Sequence, residues 1–327
     1  MMRRVRNIIL TMMLDISLVA VVIGGDYFYS YKMPHKLSAA YLQTPTKNQL
    51  QATNENREMQ IDTQESVSLY KDMTTDTSHF SDCVISTDTQ YKSSDISIEI
   101  TSSSYDSAVI DPSENGKHKK YGSKIAYTVA DIYVSDVTLL KTAFAQDTYG
   151  IGYAESLADM SQRVQSVLAV NGDSYSNNRH KNNGTIIRNG MVYRAKPSTE
   201  ETCVLFRDGT MKIYTPDTFQ ADEVIQQGAW QSWVFGPSLL DEAGNAKKDF
   251  LTWDYIKESH PRTAIGYYEP GHYCLVVVDG RQADYSRGMY LEELSQLFAD
   301  LGCAAAYNLD GGHCSFMTKD ASVISQP

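Results

Sequence analysis

From about residue 91 onward the chain alternates short apolar stretches with clusters of Gly, Asn, Asp and Pro. Ser97–Ile98–Glu99–Ile100 alternates as a half-buried strand does. A longer alternation runs from Ile125 to Val137, with Ile125, Tyr127, Val129, Asp131 and Tyr133 on one parity. Ser156–Leu157–Ala158–Asp159 has the form of a capping box, and Leu157, Met160, Val164 and Leu168 follow at helical spacing. Val167–Leu168–Ala169–Val170 reads as a buried strand. Asn189–Gly190 joins Thr185–Arg188 to Met191–Tyr193, and Asp208–Gly209 joins Cys203–Arg207 to Thr210–Tyr214. Both dipeptides tolerate the positive φ of tight hairpin turns, so each predicts a β-hairpin. Thr263–Tyr267, Tyr273–Val278 and Ala304–Leu309 complete the predicted strands. Leu291, Leu294, Leu297, Phe298 and Leu301 fall on one face of a helix that Gly302 stops. The pattern predicts an α+β fold with mixed or antiparallel sheets, hairpins and two main helices, and shows no repeat of fixed period.

The pattern changes character toward the N-terminus. Arg3, Arg4 and Arg6 precede an apolar run from Ile8 to Gly25 in which Asp15 is the only charge. The run leads into Gly24–Gly25–Asp26, which lacks the small-residue form of a cleavage site, and then into Tyr27, Phe28 and Tyr29, residues suited to a membrane interface. Residues 1–30 are therefore expected to be a single transmembrane signal-anchor. The basic flank puts the N-terminus in the cytoplasm and the domain outside, at the cell membrane. Behind it, 16 of the 52 residues from 44 to 95 are Ser or Thr and only seven are Val, Ile, Leu or Phe. Such a stretch buries too little apolar surface to offset its ordering entropy. Residues 31–90 are expected to be a polar, largely disordered stalk, and 91–327 the folded domain.

Composition narrows the function classes. At 42% hydrophobic residues over 327, the chain is not disordered throughout. Its net charge of −11, of which the 44–95 stretch supplies −5 (four basic against nine acidic), argues against a nucleic-acid partner, which demands basic surface. The expected partners are a glycan or sugar phosphate and, through the N-terminal helix, the membrane.

Three apolar strands end in a carboxylate beside glycine: Asn171–Gly172–Asp173, Val278–Asp279–Gly280 and Leu309–Asp310–Gly311–Gly312. A strand end fixes the acid, and the glycine lets a ligand approach the backbone. If the ends converge, one cleft gathers three carboxylates, and mutual repulsion raises at least one pKa into the range of a general acid. Oxygen ligands of this kind also suit Ca²⁺, although no EF-hand loop is present, and no cofactor is firmly implied. Arg262, after Pro261, is placed to neutralise such a cluster or to clamp a phosphate. His260 and His313 adjoin these motifs. No HExxH and no metal-type Cys pair occurs, and the five cysteines are irregularly spaced.

The order Asn171–Gly172–Asp173, Phe235–Gly236–Pro237–Ser238–Leu239, Pro261–Arg262–Thr263–Ala264–Ile265–Gly266, Val278–Asp279–Gly280–Arg281 and Asn308–Leu309–Asp310–Gly311–Gly312 resembles the phosphodiester glycosidase family, of uncovering-enzyme type, over roughly residues 91–327. The resemblance implies a hydrolase that cleaves a sugar-1-phosphodiester at the anomeric carbon. Bacterial relatives of exopolysaccharide-biosynthesis type carry a similar anchor, which implies a glycan of the cell envelope. On this basis Asp310, Asp173 and Asp279 are expected to be catalytic, with Asp310 first. Arg262, Asn171, Asn308, Gly311, Gly312, His313 and Ser315 are expected to bind substrate and phosphate. The chain departs from the family pattern at His313–Cys314, where a third glycine is usual, and at Ser174, where an aromatic is usual. The family domain also runs on for a further strand past Asp-Gly-Gly. The alternative reading is a non-catalytic, anchored module that binds cell-wall glycan.

Overall fold

A computed structural model describes residues 77–109, 121–174 and 183–326. The chain divides into two units, 1–61 and 62–327, and the described residues all belong to the second. The expected anchor and most of the expected stalk lie outside the described residues. No helix among the described residues is long and apolar enough to cross a membrane.

The strands in chain order are β1 Ile85–Ser86, β2 Gln90–Lys92, β3 Ile96–Asp106, β4 Lys124–Val134, β5 Leu168–Val170, β6 Ile186–Arg188, β7 Met191–Arg194, β8 Thr202–Phe206, β9 Met211–Tyr214, β10 Ala229–Trp233, β11 Arg262–Glu269, β12 His272–Val278, β13 Ala305–Asn308, β14 Met317–Lys319 and β15 Ser322–Val323. The helices are α1 Leu157–Val164, α2 Ala221–Gln226, α3 Asp254–Lys257 and α4 Leu291–Asp300. The fold is α+β, mostly sheet, and every pairing is antiparallel. Two short helices join the two main ones foreseen from periodicity.

The main sheet has the order β1-β2-β3-β4-β12-β11-β13 and is covered on both faces in its centre. Ala130, Ile132 and Val134 of β4, with Tyr273 and Val277 of β12 and Ile265 of β11, meet Cys203, Leu205, Met211, Trp230 and Trp233 of the small β10-β8-β9 sheet. On the other face Val276 and Val278 of β12 and Ala264 of β11 meet Leu291, Leu294 and Phe298 of α4, together with Leu239 and Met289. This explains a difference from the sequence pattern. Of the Ile125–Tyr133 parity only Ile125 is buried, with Tyr127 and Val129 half-buried on the α4 side, whereas the opposite parity is the buried one, with Ala130, Ile132 and Val134 against the small sheet. A central strand covered on both sides carries apolar residues on both parities.

The helix face of α4 is as expected, and its start is pinned by Glu293, whose carboxylate accepts from Tyr290 N at 3.0 Å and from both Nη atoms of Arg287. At α1 the Ser156 hydroxyl accepts from Asp159 N at 3.1 Å. That helix stops at Val164, where Gln165 turns left-handed, so Leu168 belongs to β5 and not to the helical face. β5 is an edge strand and only half-buried, since β14 flanks it on one side alone. Beyond Asp-Gly-Gly, where the family pattern suggested a missing edge element, the chain forms the β14–β15 hairpin.

The main sheet begins earlier in the chain than residue 91. β1 and β2 extend the main sheet from Ile85, and the His79 ring stacks on Tyr133 at 3.6 Å. Residues 77–90, assigned to the stalk on composition, therefore belong to the domain. An edge strand needs backbone partners more than apolar side chains, so a Ser/Thr-rich segment can supply one.

Tyr307 of β13 is fully buried and ties the sheets together: its hydroxyl donates to Glu201 O at 2.6 Å and accepts from Phe235 N at 3.0 Å. Tyr307→Phe strands both main-chain groups, and we expect a loss of about 1–3 kcal/mol in urea denaturation; an unchanged midpoint would show that the two groups find other partners.

Candidate active site

β12 and β13 both run antiparallel to β11, so their C-terminal ends flank the start of β11 at one end of the sheet. The chain turns there around Pro261. The Pro261 carbonyl accepts from Gly312 N at 2.9 Å, and a Cβ on Gly311 would lie 2.7 Å from that same oxygen. Gly312 in addition has φ +69°, which L side chains rarely adopt. The end of β5 joins the same place: Asp310 N donates to Gly172 O at 3.1 Å. The three acid-bearing strand ends therefore do meet.

Their carboxylates do not form one cluster. Asp173 is ion-paired with Arg188 and accepts from Val234 N at 3.0 Å; both members of the pair are buried. Asp279 accepts from Tyr285 OH at 2.8 Å and from Gln326 N at 2.9 Å. Burial raises its pKa above the ordinary carboxylate range, against the opposing effect of those two bonds. Asp310 is the half-buried one, and one of its oxygens accepts from Gly311 N at 2.9 Å. Asp173 and Asp279, expected to be catalytic, are thus buried with their oxygens accepting from fixed donors. Among the described residues no group of three or more His, Cys, Asp or Glu is placed to hold a metal ion. The strand ends that suggested Ca²⁺ thus bring three turns together without grouping their three carboxylates.

The residues expected to contact phosphate are placed as follows. Arg262 is 3% exposed, and its Nε donates to Met289 O at 3.0 Å while Nη2 donates to Ile256 O at 2.7 Å and to Glu258 O. It props the α3 segment from below, and burial, with the nearby charge of Arg281, lowers its pKa to about 9. A guanidinium spent on main-chain carbonyls inside the fold does not present itself to an anion. The N–H groups of Gly311 and Gly312 are likewise engaged, by the Asp310 carboxylate and by Pro261 O. Asn171 donates to Asp310 O at 2.7 Å and accepts from Thr263 Oγ1 at 2.6 Å, and buried Asn308 donates to Gly236 O at 2.8 Å. Asn171 thus staples two loops, while Asn308 is tied through its amide N–H and keeps a buried Oδ1 without a partner. Ser315 is buried with its hydroxyl unpartnered, and His313 is exposed on the turn Gly312–Cys314.

The cation that faces the turn is Arg281, which sequence reasoning passed over although it stands in the quoted Asp279–Gly280–Arg281 motif. It is exposed, and its Nη1 lies 3.3 Å from where a Cβ on Gly312 would be. Nη2 is 3.1 Å from His260 Nδ1 and 3.4 Å from Tyr255 OH. Tyr255 and Trp253 are exposed on the neighbouring α3 segment, at 55% and 52%. The Cys314 thiol is pushed up by burial and by the charge of Asp310, which makes it a poor nucleophile at neutral pH. Asp310 is thus a half-buried carboxylate next to Gly311, and Arg281 an exposed guanidinium over Gly312 with Tyr255 beside it. That set can stabilise a cationic centre and bind an anion at once.

Residues 165–327 match the phosphodiester glycosidase family. The chain is 34% identical over 181 residues to the SPbeta prophage-derived uncharacterized protein YomE of Bacillus subtilis (strain 168), covering 54% of this chain and 28% of that protein, so it spans under a third of that relative's length. The fold is similar to that of the zebrafish N-acetylglucosamine-1-phosphodiester alpha-N-acetylglucosaminidase catalytic domain, auto-inhibited by pro-peptide. The TM-score is 0.53 at 20% identity, over 71% of this chain and 81% of that one. The likeness to the zebrafish enzyme is one of fold.

The raised pKa of Asp279 has a definite sign for stability. Between its unfolded and its higher folded value the folded state holds the extra proton, so stability falls as pH rises through that window. Asp279→Asn removes this titration. We expect the variant to gain stability relative to the native chain as pH rises from the acid range to neutrality, measured by urea denaturation at several pH values; a constant difference would contradict the assignment.

Proposed function

Residues 165–327 belong to the phosphodiester glycosidase family, and from that premise we propose that this chain hydrolyses a sugar-1-phosphodiester at the anomeric carbon. The observation that carries the reading is the placement of Asp310 and Arg281 about Gly311–Gly312. In the proposed reaction the bond from C1 to the phosphate oxygen breaks, and the electron pair leaves with the phosphate. Water adds to C1 and loses a proton. The released phosphomonoester is already a fair leaving group, so stabilising charge matters more than protonating oxygen. Asp310 stabilises the oxocarbenium-like centre and takes the proton of the attacking water. Arg281 holds the phosphate, and because it is exposed it can do so without rearranging the buried network. Tyr255, exposed and beside that cation, offers an apolar ring face to a sugar. Asp173 and Asp279 fix the turns that carry the site.

The substrate we propose is a glycan of the cell envelope or exopolysaccharide, met outside the membrane. The support is the sequence: Arg3, Arg4 and Arg6 ahead of the apolar run Ile8–Gly25, and the acidic, Ser/Thr-rich stretch behind it. An acidic chain repels an anionic polymer at long range, so a local cation such as Arg281 has to capture it.

The test is release of free sugar from sugar-1-phosphodiesters by the purified protein. Asp310→Asn is expected to lower kcat by about 100-fold or more, with the thermal melt preserved. Arg281→Ala is expected chiefly to raise KM. Full activity of the Asp310→Asn protein would remove Asp310 from the mechanism, and absence of sugar release by the native protein across such substrates would favour a glycan-binding role.

A further inference from the structure

We propose that His260 is a positioning residue that holds the Arg281 guanidinium in its anion-binding pose. The inference rests on the reading of Arg281 given above. His260 is 6% exposed, so it does not meet substrate itself. Its main chain is locked against Met289 in both directions, His260 N to Met289 O at 3.2 Å and Met289 N to His260 O at 3.0 Å. The ring is locked too, with Nε2 at 2.8 Å from Tyr255 O and Nδ1 at 3.1 Å from Arg281 Nη2.

Chemistry fixes the tautomer. A carbonyl oxygen only accepts and a guanidinium only donates, so Nε2 carries the hydrogen and Nδ1 offers its lone pair to Arg281. The Tyr255 hydroxyl, 3.4 Å from the same Nη2, lies on the same side, and the Tyr255 and His260 rings are 4.7 Å apart. Both contacts hold one edge of the guanidinium, and the other nitrogen stays over Gly312.

A neutral acceptor is the right device here. Arg281 is a long, exposed side chain that otherwise samples many rotamers, and capturing an anion then includes the entropy of fixing it. A carboxylate in the place of His260 would fix it equally well but would cancel the charge that attracts phosphate. A buried imidazole orients the guanidinium and leaves its charge available.

The test uses the full chain, with inorganic phosphate titrated by calorimetry and KM and kcat measured on a sugar-1-phosphodiester. His260→Phe keeps a ring but no acceptor. It is expected to weaken phosphate binding and raise KM by about tenfold, the scale of one charge-assisted hydrogen bond, with kcat little changed. His260→Asn, whose side-chain oxygen reaches the Nδ1 position, is expected to restore most of the affinity, whereas His260→Gln, which reaches only toward Tyr255 O, is not. In the Arg281→Ala background His260→Phe is expected to add nothing. Should His260→Phe fail to fold, the contrast between the Asn and Gln variants decides. Equal losses from His260→Phe with and without Arg281, or equal behaviour of Asn and Gln, would overturn the proposal. Unchanged phosphate binding in Arg281→Ala alone would instead defeat the reading of Arg281, and His260's role with it.

Discussion

The Pro261 carbonyl sets the geometry of the candidate site. It accepts the Gly312 N–H, and it stands so close to Gly311 that a methyl group there would overlap it. This backbone-to-backbone contact draws the end of β13 across the start of β11. Asp310 then reaches Gly172 through its main chain, and Arg281, leaving the end of β12, comes to rest over Gly312. Antiparallel register does the rest: two strands that run against β11 must deliver their C-terminal turns to the same end of the sheet. Side chains that are far apart in sequence meet because the glycines between them allow the main chain to close up.

Charge divides the residues of this region by burial. Asp173 with Arg188 and Glu293 with Arg287 are paired inside the fold, and Arg262 is capped by carbonyls. Each of these groups is costly to desolvate, and each is held by fixed partners, so they stiffen the frame and offer little to a ligand. Asp310 and Arg281 are the members left toward solvent, half-buried and exposed respectively. A rigid inner layer of satisfied charges and an outer pair of opposite sign is an arrangement suited to placing an anion and a developing cation side by side.

Much of this was legible in the sequence, and the division between legible and hidden has a physical cause. The hairpins at Asn189–Gly190 and Asp208–Gly209, the face of α4 and the three acid-glycine strand ends depend on local signals, and all appear in the fold. The direction of a side chain at a strand end does not depend on local signals. Arg262 and Arg281 stand at neighbouring turns with equal claims from sequence, but the first packs beneath the α3 segment and the second emerges beside Gly312. The same holds for the acids: their main chains converge as expected, while Asp173 and Asp279 find donors inside. β1 and β2 escaped notice because an edge strand is held by backbone bonds that composition does not register.

The central claim is that bond cleavage occurs at the anomeric carbon, with phosphate as the leaving group. The most direct measurement is turnover of a sugar-1-phosphodiester by the native protein in ¹⁸O-labelled water, with mass analysis of both products. Cleavage of the C1–O bond puts the label in the released sugar and none in the phosphate. Label found in the phosphate instead would mean attack at phosphorus, and the assignment of Asp310 and Arg281 as a glycosidase pair would not stand.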